Sequence, residues 1–269
     1  MKSVLTQWLA HPLTRGMNID NPQTTALRLH IIRSKPFLRK LYEEWYRRIA
    51  MHFPPDTRVL ELGSGAGFLK EFIPQLITSE LFSAPGVERI IDAQVIAMGD
   101  ASLDGIVMTD VLHHIPDCSL FFHEAARVIR VGGKVVMIEP WNTNWSRWVY
   151  QRLHHEPFEP GAREWRIPSS GPLSGANGAL PWIIFQRDRV LFESRHPEWR
   201  IECIQSIMPF AYLLSGGVSM RSLLPGWMYQ PVRWLEHHCH EAPRAMFAEI
   251  TLKRQRVNGL GFKRECSEG

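Results

Sequence analysis

Residues 59–67 read Val-Leu-Glu-Leu-Gly-Ser-Gly-Ala-Gly, an apolar strand that runs straight into a glycine-dense turn headed by a carboxylate. No other stretch restricts the fold as strongly. Val59, Leu60 and Leu62 end a buried run, Gly63 permits the positive φ of a sharp turn, and Gly65 lets a ligand approach a backbone that carries no Cβ. Gly67 allows the next helix to start close to the strand. Such a turn suits a nucleotide-type cofactor at the carboxyl edge of an α/β sheet.

The glycine spacing separates two cofactor classes. A dinucleotide fingerprint needs glycine or alanine at position 68, and the residue there is Phe68, which disfavours an NAD-dependent oxidoreductase. The glycines fall at 63, 65 and 67 with Glu61 two residues ahead of the first. This pattern resembles motif I of the class I S-adenosylmethionine-dependent methyltransferases, in which the turn holds the methionyl part of a sulfonium cofactor.

The order of the following segments extends the resemblance over residues 57–140. A short helical stretch, Phe68 to Ile73, ends at Pro74, and Leu76 to Leu81 form a second strand candidate that closes on Glu80. Glu80 lies 19 residues after Glu61, where a carboxylate can accept hydrogen bonds from ribose hydroxyls. Val87 to Ala93 read as strand three. Ile106, Val107 and Met108 suit a fourth strand buried on both faces, and Asp110 to His114 then stand at its carboxyl edge. Phe121, Phe122, Ala125, Val128 and Ile129 recur at helical spacing, Val131-Gly132-Gly133 turn, and Lys134 to Glu139 form strand five before Pro140.

The fold class implied is a doubly wound, mostly parallel seven-stranded α/β sheet with N-terminal helices and an inserted cap. The resemblance implies cofactor contacts from Glu61, Gly63, Ser64, Gly65 and Gly67 in the turn, Glu80 and Leu81 after strand two, Asp92 and Ala93 at the adenine, and Asp110 facing the sulfonium. It is similar to the small-molecule branch of the family, the methyltransferase type 11-like proteins. Methyl transfer proceeds by in-line displacement, so positioning supplies much of the rate. For a hydroxyl acceptor a general base is needed, and His114, His155 and Glu139 are the candidates.

Outside the core, Asn21-Pro22 suit an N-cap and first helical position for a helix over 22–34, and Leu38, Leu41, Tyr42, Trp45 and Ile49 mark an amphipathic second helix. Between Trp141 and Arg195 lie five of the ten tryptophans, with Trp141, Trp145 and Trp148 spaced as one helical face. A loop follows over Ser169 to Gly178. Arg200 to Met208 read as strand six, and the alternation of Met246, Ala248, Ile250 and Leu252 as an antiparallel closing strand. The expected division is therefore a helical cover at 1–53, the cofactor-binding half at 54–140, an aromatic-rich cap at 141–195, the rest of the sheet at 196–256 and a tail at 257–269.

Several classes are disfavoured. No stretch approaches the roughly 18 apolar residues of a membrane span, and Met1 to His11 has too short an apolar run for a signal peptide, so cytoplasm is expected. Cys118, Cys203, Cys239 and Cys266 form no C-x-x-C pair. His237-His238-Cys239-His240 would point in different directions on a helix, whose apolar side holds Val232, Trp234 and Leu235, and no metal is expected there. The formal charge of +4 gathers partly on the second helix, as a solvated face rather than a nucleic-acid site; peripheral contact with an anionic membrane is the alternative. The acceptor is expected to be a small molecule, either a saccharide or lipid-linked compound or a quinone-like aromatic. A protein that binds S-adenosylmethionine without catalysis, as a regulator or assembly factor, is the rival reading.

Overall fold

Seven strands build one sheet: β1 (Val59–Leu62), β2 (Ile77–Glu80), β3 (Arg89–Ile90), β4 (Leu103–Thr109), β5 (Ile129–Pro140), β6 (Trp199–Ile207) and β7 (Phe247–Arg254). Their order across the sheet is β3-β2-β1-β4-β5-β7-β6, and β7 alone runs against its neighbours β5 and β6. In this computed structural model the described residues are 22–65, 67–154, 156–168, 175–238 and 242–257. The strand order reverses between β1 and β4, so the carboxyl ends of those two strands border the crevice that open α/β sheets use for ligands.

The central strands carry no alternation because both faces are covered. Ile106, Val107 and Met108 on β4 and Val135 to Ile138 on β5 are all fully buried. The cover comes from α1 (Pro22–Ser34), α2 (Pro36–Ala50), α3 (Cys118–Val128), α4 (Asn144–Leu153), α5 (Leu180–Trp182) continuing into a π-helical turn (Ile183–Arg187), α6 (Arg189–Arg195), α7 (Ala211–Ser215) and α8 (Tyr229–His238). Pro36 opens α2 at a position where a missing N–H costs nothing, and its buried stripe of Leu38, Leu41, Trp45 and Ile49 docks with the Trp45 ring 4.9 Å from that of Phe247 on β7. Asp117 caps α3 by accepting the N–H groups of Ser119 and Leu120, and Thr143 and Ser146 form a reciprocal capping box on α4.

Four local expectations change. Between Gly67 and Pro74 there is room only for a 3-10 turn (Leu69–Glu71), since one isolated turn cannot recover the cost of nucleating an α-helix. Strand three shrinks to Arg89–Ile90, because the Asp92 carboxylate accepts the N–H of Gln94 and bends the chain out of the ladder. The Val131-Gly132-Gly133 segment stays inside β5, with Gly132 at φ +88 and a register shift against β4. Trp141 precedes α4, where Trp145 and Trp148 stack with ring centroids 5.7 Å apart.

The largest correction concerns α8. Its buried side holds Tyr229, Val232, Arg233 and Glu236, whereas Trp234 and Leu235 face outward at 63% and 51% exposure. Arg233 bridges Glu44 on α2 and Glu236, so an ion-pair network between two helices sets the rotation of α8 against the pull of its apolar residues. Asn21, Cys239 and His240 lie outside the described residues, as does most of the loop after Pro168.

Candidate functional site

The turn after β1 is locked to β2 by serines. Ser64 N–H donates to the Ser79 carbonyl at 2.9 Å, Ser79 N–H donates back to Ser64 Oγ at 2.8 Å, and Ser79 Oγ donates to the Glu61 carbonyl at 2.7 Å. Gly63 adopts φ +66, and a Cβ there would meet Val111 Cγ2 at 2.5 Å. Gly67 is held as closely, since its Cβ would come within 2.8 Å of both the Ser64 carbonyl and Tyr46 Oη. Gly65 is also on the positive side, at φ +29. The result is a bare backbone loop at the crevice, the geometry that admits a close ligand.

Acidic groups surround this loop. Glu61 is buried, and loss of solvent pushes its carboxyl up to about 7; the Ser64 hydroxyl opposes the shift and Glu80 adds to it. Glu80 ends β2, also buried. Burial raises its carboxyl, while the N–H groups of Leu81 and Gly65 and the charge of Arg28 temper the rise. Leu81 itself is 40% exposed. Asp92 is exposed beside half-buried Ala93, beyond the end of β3.

At the end of β4 the backbone is strained. Asp110 takes φ +64, a conformation uncommon for residues other than glycine and frequent at functional sites. About a third of its side-chain surface remains accessible, yet protein encloses it on several sides, which is the signature of a residue lining a recess. Burial pushes the Asp110 carboxyl up to about 7; the neighbouring His113 charge opposes this, and the Glu156 and Glu139 carboxylates reinforce it.

The 3-10 turn Leu112–His114 places two imidazoles side by side, with ring centroids 4.3 Å apart. His113 is fully buried, with Nδ1 2.8 Å from Glu139 Oε2, Nε2 3.4 Å from Glu156 Oε2 and 4.0 Å from Asp110 Oδ1. Burial alone would discharge this ring, but the Glu139 and Glu156 carboxylates outweigh it and hold His113 well above the usual histidine range. Glu156 is correspondingly held low: its own burial is overcome by His113. His114 goes the other way. Burial and the adjacent His113 charge bring it down to about 4, so it is a neutral ring with Nδ1 donating to the Gly175 carbonyl at 3.0 Å. Its Nε2 sits 3.7 Å from Glu156 Oε1.

Among the expected site residues, the structure brings Glu61, Gly63, Ser64, Gly65, Gly67 and Glu80 to one strand edge and Asp110, His114 and Glu139 to the next. Glu139 is committed inward, with Oε1 accepting the N–H groups of Val111 and Leu112. His155 lies outside the described residues. Beyond the expected set, the structure adds Ser79, Glu156 and Arg28, and it gives His113, the neighbour of His114 in the loop after β4, the central place in the cluster. Ser79 and Arg28 carry no spacing signal, and Glu156 reaches the cluster only through a long-range fold contact.

Beside the cluster, α4 and α7 flank a shallow recess, open to solvent and lined by Tyr150, Leu153, His154, Tyr212, Met220 and Met246. Burial first, and the Asp110 charge among its neighbours, raise the Tyr150 and Tyr212 phenols that line this recess.

Comparison with known proteins adds three findings. A family model described as a methyltransferase domain matches residues 35–170, half of the chain. The 2-methyl-6-phytyl-1,4-hydroquinone methyltransferase of Synechocystis sp. is 24% identical over 141 residues, covering 45% of this chain and 44% of that protein, so the chain spans less than half the length of that relative. Two solved structures share the fold at 11% identity. One is a chain of the complex between the Haloferax volcanii Trm112 methyltransferase activator and a putative methyltransferase, with TM-score 0.52 over 89% of this chain and 100% of that one. The other is the geranyl diphosphate C-methyltransferase of Streptomyces coelicolor, with TM-score 0.51 over 91% of each chain.

Proposed function

Because the chain belongs to the methyltransferase-domain family, as a class I S-adenosylmethionine-dependent enzyme, we propose that it methylates a hydroxyl on a small amphiphilic acceptor, lipid-linked or lipid-like, with Asp110 as the general base. The observation that carries this reading is the Asp110 carboxyl itself, strained, recessed and raised to about 7 beside an apolar recess.

The residues fit S-adenosylmethionine. The loop has no room for a Cβ at Gly63 or Gly67, takes a positive φ at Gly65, and presents backbone to the ligand; Glu61 is the anion for an ammonium group, Glu80 the acceptor for ribose hydroxyls, and Asp92 with Ala93 the adenine contact. Bound there, the cofactor supplies a methyl group already activated on a cationic sulfur. The chain then has to hold the acceptor hydroxyl in line and receive its proton. Asp110, ionised and facing the sulfonium before reaction, takes that proton on its carboxylate as the methyl group leaves the sulfur and the sulfonium charge disappears. His113, clamped between Glu139 and Glu156, keeps a positive charge beneath Asp110 and fixes its surroundings. Neutral His114 offers Nε2 as a second proton acceptor or as an orienting contact.

The acceptor class is supported by the recess and by apolar side chains exposed on the segment that follows Met220. Met220 lines the recess, and the chain that follows it exposes Leu223, Trp227 and, on α8, Trp234 and Leu235, with Trp227 72% exposed. Aromatic and leucine side chains displayed this way favour the headgroup boundary of a bilayer, where an amphiphilic acceptor resides. Among the described residues no helix is long and apolar enough to cross a membrane. The Synechocystis relative is named for a hydroquinone bearing a phytyl chain, a phenolic head on an apolar tail, and the apolar and aromatic lining of the recess suits the head or first part of the tail of such a molecule. A saccharide carried on a lipid is the second form of the same class.

Transfer of radiolabelled methyl to an alkyl-chain hydroquinone and to a lipid-linked sugar, both in vesicles, tests the proposal. Labelled ether product, reduced strongly by Asp110→Asn, is expected. Label on carbon or nitrogen would overturn the hydroxyl assignment, and cofactor binding with no transfer to any acceptor would favour the regulator.

A further inference from the structure

Away from the crevice, His123 on α3, His196 at the end of α6 and Glu198 at the start of β6 converge on one point. His196 Nδ1 lies 3.4 Å and His123 Nδ1 3.8 Å from Glu198 Oε1, and the three donor atoms fall within 4.8 Å of one another. His196 is 1% exposed, yet neither of its ring nitrogens makes a hydrogen bond, and Glu198 Oε1 is also buried without one. Buried polar atoms left in this state are rare and costly. Rings of Phe122, Phe192 and Trp165 surround His196 and supply no polar partner.

Two imidazole nitrogens and a carboxylate are a borderline-soft donor set that suits a divalent transition metal, zinc above all. Tetrahedral ligands about 2.0–2.1 Å from zinc stand roughly 3.3 Å apart, near the separations already present. We propose that His123, His196 and Glu198 form a zinc-class metal site that fastens α6 and β6 to α3. The His123 side chain is 63% exposed, which gives an ion its entry path and leaves a fourth position for water. The bond ties together residues 123 and 196, so its effect is on the fold rather than on methyl transfer. A second convergent group, His113, His114 and Glu156, belongs to the catalytic cluster and serves here as the control.

The experiment uses the full, tag-free chain stripped of metal, titrated with Co²⁺ by visible absorption and with Zn²⁺ by calorimetry and thermal melting. One equivalent should bind with the absorption of a low-symmetry cobalt site and raise the melting temperature. His123→Ala, altered at a solvent-facing ring, should fold, lose the absorption and weaken zinc by roughly tenfold or more. Glu198→Gln should do the same, and His114→Ala should leave the signal intact. Unchanged binding in His123→Ala, loss of the signal in His114→Ala, or no uptake by the unaltered chain would each overturn the assignment.

Discussion

Glu139 Oε2 lies 2.8 Å from His113 Nδ1, and neither side chain has any exposed surface. The second carboxylate oxygen accepts the N–H groups of Val111 and Leu112 at 2.8 and 2.7 Å. One buried acid therefore fixes both the backbone that follows Asp110 and the imidazole beneath it. Glu139→Ala strands a charged ring and two amides in a dry interior and should cost about 3–5 kcal/mol in chemical denaturation. Glu139→Gln, which keeps one acceptor, should cost less. A loss under 1 kcal/mol in the alanine variant would show that water replaces the carboxylate.

Glu61 and Asp110 both sit at about 7, each through burial first. At pH 6 most of each is protonated and neutral; at pH 8 most is ionised. S-adenosylmethionine is cationic at sulfur, so its affinity should rise with pH, by about tenfold between pH 6 and 8 for each group whose charge it requires. S-adenosylhomocysteine lacks the sulfonium charge and should show the smaller dependence. The ligand-free protein should move the opposite way, losing stability as pH rises from the usual carboxyl range to about 7, because the folded chain holds protons that the unfolded chain has released. Calorimetry at the two pH values checks the first part; equal slopes for both ligands would remove Asp110 from the sulfonium.

On α8 polarity and burial are exchanged. Arg233 is buried between Glu44 and Glu236, and Trp234 next to it is exposed. Arg233→Ala should therefore destabilise by about 3–5 kcal/mol, while Trp234→Ala should stay within about 0.5 kcal/mol and instead reduce sedimentation with anionic vesicles. Reversed magnitudes in denaturant melts would mean that α8 is rotated in solution.

The same helix explains where sequence reading stops. The glycine turn, the succession of strands along the chain and the position of Glu80 at a strand end are readable because each is a local pattern: an apolar run, a glycine at a position needing positive φ, an acid closing a strand. The usual preference for burying apolar side chains points Trp234 and Leu235 inward, and only the reach of Glu44 from another helix reverses it. His113 and Glu156 fail for a related reason. The value of the first comes from Glu139 and of the second from folding back onto β4, and neither partnership leaves a spacing in the chain. Strand three is shorter than its apolar run because residues through Ile91 favour a strand while the Asp92 side chain competes for the backbone.

Gly63 has φ +66 and a Cβ position 2.5 Å from Val111 Cγ2. Gly63→Ala combines left-handed strain with a clash against the loop that carries Asp110, and should cost about 1–3 kcal/mol. Val111→Ala removes the methyl groups in the way, so the double variant should recover part of that loss, a coupling that two independent sites would not show. Strict additivity in the thermodynamic cycle would place the whole cost in the backbone.

Glu80 ends β2 with Oε2 accepting the Leu81 N–H at 3.1 Å and its carboxyl raised mainly by burial. Its proposed partners are ribose hydroxyls, and hydrogen bonds to a charged acceptor contribute about 1–3 kcal/mol. Glu80→Ala should thus weaken S-adenosylmethionine and S-adenosylhomocysteine equally, since both carry the ribose. Asp110→Asn should instead act on the sulfonium form alone. Fold stability offers a separate readout: removing a buried, partly desolvated carboxyl leaves stability near its original value or above it, so lost affinity with an unchanged denaturation midpoint identifies a contact to ligand. Equal affinity in the variant would mean that the ribose lies elsewhere along the strand edge.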